Sequence, residues 1–165
     1  MLFKQFTYSL LIVVAILSSG CSDLNDEVIP IAGVRIEVTL AQQQKKEYWA
    51  SSPATYVTFL MPSIPYGFPY SVSSSTGYAG VLQVCGFDSQ LYAYDLCCPV
   101  EHNPSIKISV DESNLNAVCR ECGSTYDIFY GTGSPIEGIA AKEKYSLKKY
   151  RINYIASTAS YLISN

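Results

Sequence analysis

Apolar and polar residues alternate along several short segments of the chain, and this pattern predicts β-strands. An apolar residue occupies every second position from Val34 to Leu40, which is the spacing of a strand with one buried face. Segments rich in β-branched and aromatic residues predict further strands over 55–60, 80–85, 91–95, 106–110, 115–118, 124–130 and 145–155. No segment repeats its apolar residues with the helical period over a convincing length. The sequence therefore predicts an all-β domain of antiparallel strands.

Two pairs of these strands are separated by short turns and are predicted to form β-hairpins. The turn at 86–90 joins the first pair, and the turn Asp111–Asn114 joins the second. The first hairpin leads directly into Cys97 and Cys98, and the second leads into Cys119. The pattern therefore predicts two cysteine-bearing loops, each following a hairpin.

Some segments carry no strand pattern. Residues 62–70 contain three prolines, each of which lacks a backbone N–H for strand pairing, so an irregular loop is expected there. Residues 131–140 contain three glycines and one proline, which predicts turns. The residues after Ala156 show no clear pattern.

The first residues form a segment that is separate from the predicted domain. Lys4 is followed by an apolar run from Leu10 to Leu17, which is too short to cross a bilayer and is typical of a secretory signal. The signal is followed by Cys21. The small residues Ser18-Ser19-Gly20 before Cys21 resemble the end of a bacterial lipoprotein signal, and the resemblance implies that residues 1–20 are a signal peptide and that Cys21 carries a lipid. An ordinary cleaved signal with an incidental cysteine is the alternative.

Residues 21–30 form a short acidic tether behind this cysteine, with no pattern that would fold on its own. Signal, cysteine and acidic tether together resemble the lipoproteins of Bacteroidetes. The resemblance implies a cell-envelope protein that is lipid-anchored to the outer membrane and exposed at the surface. Firm anchoring needs more than one acyl chain, since each buried methylene contributes about 0.8 kcal/mol.

The composition of the remaining chain limits the number of domains and the class of partner. The chain has 165 residues, so residues 31–165 are enough for a single domain with its own core. The 14 tyrosines favour a β domain. Without residues 1–20, ten basic and 14 acidic residues remain, and no basic cluster indicates binding to nucleic acid.

The two predicted cysteine loops hold a candidate metal site. Cys119 and Cys122 have C-x-x-C spacing, which lets two sulfurs of one tight loop face a common centre. Cys98 and His102 from the preceding loop complete the candidate set, and Cys97 is the alternative ligand. Three thiolates and one imidazole are a set that tetrahedral zinc accepts.

The order of these features resembles the Rieske iron–sulfur domain. The segment Cys119–Asp127, CRECGSTYD, is similar to the second cluster-binding motif of that family. Gly133–Ala140 is similar to the segment that follows it, and Leu147–Ile152 to the closing strand. The resemblance is strongest over 80–154. It implies a Rieske-like antiparallel β-sandwich or barrel with two metal-binding loops, holding a 2Fe–2S cluster that exchanges single electrons with a redox partner protein.

The chain departs from that family at two ligand positions. Cys122 stands where the family has a histidine, and Val100 occupies the histidine position of the first motif. His102 or Cys97 would then be the fourth ligand. A cluster with thiolates in place of neutral imidazoles should be harder to reduce, with a potential nearer to about −400 mV.

A non-catalytic envelope lipoprotein with the same fold is the alternative function. Zinc could staple the two loops, or the thiols could pair as disulfides. Five cysteines remain beyond Cys21, so one would stay unpaired. Cys85 lies inside an apolar strand and is predicted to be an inert buried thiol. No G-x-S-x-G motif accompanies His102, so a hydrolase is not expected.

Overall fold

A computed structural model of the protein describes Asn25 and residues 28–165. The predicted signal peptide at 1–20, the expected lipidation site at Cys21 and part of the tether lie outside the described residues. Within the described residues, no helix is both long and apolar enough to cross a membrane.

Eleven strands and two short helices make up the regular structure of the described residues. The strands are β1 (Val34–Val38), β2 (Thr55–Phe59), β3 (Ser75–Thr76), β4 (Val81–Cys85), β5 (Leu91–Asp95), β6 (Ile108–Asp111), β7 (Asn116–Cys119), β8 (Thr125–Tyr126), β9 (Pro135–Glu137), β10 (Lys149–Ile155) and β11 (Ser160–Ser164). The helices are α1 (Leu40–Gln43) and α2 (Ile139–Glu143).

The strands form two antiparallel sheets. The larger sheet has seven strands in the order β2-β4-β5-β10-β11-β1-β3 and is nearly closed into a barrel. The small sheet has four strands in the order β6-β7-β8-β9. The predicted hairpins are the pairs β4–β5 and β6–β7. The all-β prediction is therefore confirmed.

The alternation in β1 decides how this strand lies in the larger sheet. Val34, Ile36 and Val38 are buried, whereas Arg35 and Glu37 are exposed. Burying an aliphatic side chain of this kind stabilises the fold by about 1.5–3 kcal/mol. A shift of one residue would bury the two charged side chains instead, so the apolar pattern fixes the register.

The residues of β4 are buried on both faces of the strand, and two apolar cores lie on either side of it. Leu82 and Val84 belong to one core, and Val81 and Cys85 belong to the other. The first, which we call the thiol core, includes Cys97, Cys98, Cys119, Tyr126 and Ile128. The second, which we call the aromatic core, includes Trp49, Phe59 and Phe68. Only the thiol core is shared with the small sheet.

Two predicted strands are shorter than the sequence pattern indicates. The strand predicted over 145–155 begins only at Lys149. The segment 124–130 has strand structure only at Thr125–Tyr126. The carboxylate of Asp127 accepts the backbone N–H groups of Tyr130 and Thr132, at 3.0 and 3.2 Å, and these bonds turn the chain away from the sheet.

Several further elements are not predicted by the pattern. The strand β9 lies within 131–140, where turns were predicted, and the two-residue strand β3 was not predicted. The strand β11 lies between β10 and β1 and pairs with both along its length. The helix α2 follows Gly138 and ends at Glu143, and the next residue, Lys144, has a left-handed conformation with φ of 59°. This helix lies beside the second cysteine loop and contributes to its geometry.

Candidate metal centre

The first cysteine loop leaves the larger sheet at the end of β5. The carboxylate of Asp95, the last residue of that strand, accepts the backbone N–H of Cys97 at 2.7 Å. The backbone N–H of Cys98 donates to the carbonyl of Ile106 at 3.2 Å. These bonds fix the Cys97–Cys98 segment between the two sheets.

The carboxylate of Asp95 is completely buried, and its hydrogen bonds hold it in place. It accepts the backbone N–H of Tyr78 at 3.0 Å and the hydroxyl of Tyr150. Burial and the bond to Asp95 hold the pKa of Tyr150 well above its usual value, so this hydroxyl stays protonated and donates. A buried carboxylate without such donors would be strongly destabilising. The loop therefore starts from a rigid point.

The second cysteine loop is a tight turn at the end of β7. The N–H of Gly123 donates to the carbonyl of Cys119, and the N–H of Cys119 donates to the carbonyl of Ser124, both at 2.9 Å. Gly123 has a φ of +71°, a conformation that a residue with a side chain adopts only at a cost. The glycine of the C-x-x-C-G sequence thus permits the turn.

The two loops bring together the thiols of Cys98, Cys119 and Cys122. Their sulfur atoms all lie within 4.8 Å of one another, and those of Cys98 and Cys122 are 3.7 Å apart. Cys98 and Cys119 are buried, whereas Cys122 is partly exposed. Two sulfurs on one tetrahedral zinc ion, each about 2.3 Å from the metal, lie about 3.8 Å apart. This group of three can therefore hold a metal ion, and the predicted approach of the two loops is confirmed.

Cys98 has a protonated thiol at neutral pH in the absence of metal. Burial raises its pKa to about 12, although hydrogen bonds from the Tyr126 hydroxyl and from the backbone N–H groups of Glu101 and Val100 act in the opposite direction. The Tyr126 oxygen lies 3.6 Å from the sulfur. The same donors would stabilise the thiolate once a metal displaces the proton.

The pKa of Cys122 is shifted in the other direction. Burial acts to raise it, but the hydroxyl and the backbone N–H of Ser124 donate to the sulfur, and the resulting pKa is lower than usual. The Ser124 hydroxyl lies 3.3 Å from the sulfur and accepts the backbone N–H of Ala140 at 3.1 Å. Since that acceptor position is occupied, the hydroxyl proton is free to point at the sulfur. Cys122 is therefore the thiol best prepared to meet a metal ion.

Cys97, the predicted alternative ligand, lies beside the three-sulfur group but is not part of it. Its sulfur is 3.5 Å from the carbonyl oxygen of Cys98. Burial, with a further contribution from Asp95, raises its pKa to about 12. Its role as a ligand stays a prediction.

His102 also lies outside the group of three sulfurs. Its backbone N–H donates to the carbonyl of Cys98 at 3.1 Å, and its φ is 52°. Its ring lies against that of Tyr145, with the two centroids 6.1 Å apart. The loop therefore directs the imidazole toward Tyr145, and its role as the fourth ligand stays a prediction.

The five cysteines among the described residues are all free thiols. Cys85 is buried in the aromatic core, as predicted for an inert thiol. Disulfide pairing, the third alternative for these cysteines, is thus absent from the described residues.

Sequence reasoning did not identify Ser124 and Tyr126 as part of the site. Both occur within the segment CGSTYD, immediately after the C-x-x-C pair, and both place a hydroxyl beside a candidate sulfur ligand. Ser124 and Tyr126 are completely buried. A buried hydroxyl needs a hydrogen-bond partner, so their spacing from the cysteines is the signal that could have found them.

No protein-family model matches this chain, and a search of curated proteins found no match either.

Proposed function

We propose that this protein is a lipid-anchored protein of the cell envelope whose β domain holds a metal centre at Cys98, Cys119 and Cys122. The observation that carries the proposal is the convergence of three sulfurs, from two separate loops, within 4.8 Å of one another. Two of these thiols are buried. The hydroxyl of Tyr126 lies beside the sulfur of Cys98, and that of Ser124 lies beside the sulfur of Cys122. Donors in these positions would stabilise thiolates bound to a thiophilic metal.

Spacing favours a single ion, with zinc as the first candidate. All three sulfurs lie within 4.8 Å of one another, which suits three ligands of one tetrahedral ion, whereas a 2Fe–2S cluster divides its four protein ligands between two irons. In this form the metal staples the first cysteine loop to the second, and the domain serves binding or structure in the envelope.

A 2Fe–2S cluster that transfers single electrons is the second candidate. It is favoured by the order of motifs over 80–154 and by the two loops that follow hairpins β4–β5 and β6–β7. Such a cluster would take Cys98, Cys119 and Cys122 as ligands with His102 or Cys97 as the fourth. Bound there, it would supply one-electron redox chemistry, and Ser124 and Tyr126 would orient hydroxyl donors toward its ligand sulfurs.

The deciding experiment is metal and sulfide analysis with visible absorption on anaerobically purified protein. One zinc per chain in a colourless sample supports the single ion. Iron and acid-labile sulfide in equal amounts, with visible absorption bands, support the cluster. Purified protein that contains neither zinc nor iron contradicts the proposed centre.

If the metal is zinc, X-ray absorption of the zinc-loaded protein identifies the fourth donor. Three sulfur neighbours and one nitrogen are expected if His102 coordinates, and the nitrogen should disappear in His102→Ala. Four sulfur neighbours that persist in His102→Ala are expected if Cys97 coordinates.

A further inference from the structure

We propose that the domain lies on its membrane with the metal loops facing the lipid surface. This proposal rests on the proposed lipid anchor at Cys21. The metal-loop face is defined here as residues 97–102, 119–124 and 136–146. The partner it fits is the surface of a phospholipid bilayer, and the argument begins with the tether.

Asn25 lies four residues after Cys21 and is hydrogen-bonded to the metal-loop face. Its backbone N–H donates to the carbonyl of Lys144 at 2.9 Å, and its carbonyl accepts the N–H of Ser146 at 3.0 Å. The two bonds form a parallel bridge with Tyr145. The tether is therefore paired with the residues that follow α2.

Ile29 is a second point at which the tether is attached to the domain. Its side chain is only 1% exposed and belongs to the thiol core. Its carbonyl accepts the ammonium group of Lys148 at 3.4 Å. Because the chain is fixed at both Asn25 and Ile29, the side of the domain from which the anchor extends is determined.

Covalent geometry limits how far the anchor can lie from the domain. Four residues span at most about 14 Å when fully extended, so the α-carbon of Cys21 lies within that distance of Asn25 in any conformation. The acyl chains of a lipidated cysteine begin at the bilayer surface. Asn25 and the segment paired with it therefore lie roughly within the same distance of the membrane.

The helix α2 contacts one cysteine loop, and the segment after it, which is paired with Asn25, contacts the other. The backbone N–H of Ala140 donates to the hydroxyl of Ser124 in the second loop at 3.1 Å. The ring of Tyr145 lies against that of His102 in the first loop. The attachment point of the tether and the two metal loops thus share one face of the domain.

The exposed side chains of this face suit a lipid surface. Ile136 and Ile139 are 50% and 47% exposed, which leaves two branched apolar side chains in water. The exposed basic residues of this face are equal in number to its exposed acidic residues, so the face has no net charge that would repel anionic lipid; they are Arg120, Lys142 and Lys144 against Glu121, Glu137 and Glu143. Apolar side chains enter the headgroup region, and lysines extend their ammonium groups to phosphates.

The orientation is tested by fluorescence quenching in vesicles that contain brominated phospholipid. Trp49, the only tryptophan, is replaced by Phe, and a reporter is introduced by Ile139→Trp on the metal-loop face. The matched control is Tyr66→Trp, at a 94% exposed position on the 62–70 loop. With acylated protein, we expect strong loss of fluorescence for Ile139→Trp and little loss for Tyr66→Trp.

Hydrogen exchange of the unaltered acylated chain provides a second measurement if the Trp49→Phe background fails to fold. We expect slower exchange over 136–146 in the presence of vesicles and unchanged exchange over 62–70. Equal quenching of both variants, or equal protection of both segments, overturns the orientation.

The outcomes separate this proposal from the proposed function. Acylated protein that lacks metal but shows the expected quenching contradicts the metal centre and supports the orientation. Mass spectrometry that finds Cys21 without acyl groups overturns the orientation together with the anchor, whereas metal content measured on the same sample judges the centre separately.

Discussion

Apart from the two-residue β3, the strands of the larger sheet are five or seven residues long, whereas those of the small sheet are two to four residues long. Their polar groups differ as well. Among the described residues, the buried side-chain oxygens without a hydrogen-bond partner belong to Ser109, Asn116 and Thr125, all on the small sheet. Each such oxygen reduces stability by about 1–3 kcal/mol. The larger sheet is stabilised by apolar burial, whereas the small sheet, which carries Cys119, would gain stability from the proposed metal centre.

The largest expected effect is loss of the metal, because a structural metal contributes about 10–16 kcal/mol of binding free energy in small domains. The variant Cys122→Ala should lose its metal, and amide exchange should accelerate in the small sheet while β10 and β11 stay protected. Metal analysis measures the loss of the ion, and hydrogen exchange measures the change in amide protection in each sheet.

Cys85→Ala is the matched control, since its thiol lies in the aromatic core. This variant should keep its metal. Equal loss of metal from both variants would contradict the assignment of ligands, and uniform acceleration in both sheets would contradict the difference between the sheets.

The next effect concerns the aromatic core. Phe59 is completely buried and packs edge-on against Phe68, with ring centroids 5.2 Å apart. Phe59→Ala should reduce the free energy of unfolding by about 3–5 kcal/mol in urea denaturation. The folded fraction should keep its full metal content. Loss of metal from the folded fraction would show that the two cores are coupled.

A smaller effect is expected at Ser124, whose hydroxyl serves both Cys122 and the backbone of Ala140. Ser124→Ala leaves that buried N–H unpaired and should reduce stability by about 1–3 kcal/mol. It also removes a donor that lowers the pKa of Cys122, so this pKa should rise. In metal-free protein, alkylation of Cys122 at neutral pH should then be slower than in the wild type.

The exposed Ser113 provides the control for that measurement. Ser113→Ala should leave both the stability and the pH dependence of alkylation unchanged. An alkylation profile of Ser124→Ala that coincides with the wild type would contradict the role of the hydroxyl.

The smallest effect is expected at the contact between the sheets. The hydroxyl of Tyr56, on β2, donates to the carboxylate of Glu112, in the β6–β7 turn, at 2.9 Å. Because the pair is exposed, Tyr56→Phe should reduce the free energy of unfolding by less than about 1 kcal/mol in urea denaturation. Tyr66 is 94% exposed, and its hydroxyl has no hydrogen-bond partner among the described residues, so Tyr66→Phe is the control and should have no effect. A large loss in Tyr56→Phe would mean that this contact, rather than the thiol core, joins the sheets.

The sequence pattern predicted the larger sheet better than the small one. Strands such as β1 and β4 are long enough for their apolar residues to show the period of a strand. The strand β11 (Ser160–Ser164) was missed because it is short, and because its place between β10 and β1 depends on pairing with the distant strand β1. Segment 124–130 was predicted too long because the Asp127 turn depends on a side-chain bond that periodicity does not report.

The candidate site was predictable in part. The C-x-x-C spacing and the hairpin before each loop were enough to predict that Cys98 lies near Cys119 and Cys122. The position of His102 was not predictable, because it depends on the backbone conformation of one residue and on the packing of its ring against Tyr145. Such contacts arise from tertiary structure and leave no spacing in the sequence.

The place of β11 has a consequence for biogenesis. It is inserted between β1, near the start of the described chain, and β10, so the seven-stranded sheet cannot be completed until residue 164 has left the ribosome. Pairing between segments this distant in sequence is intrinsically slow. A chain of this topology therefore stays incompletely folded until β11 has been synthesised, which is compatible with the export that the proposed function requires.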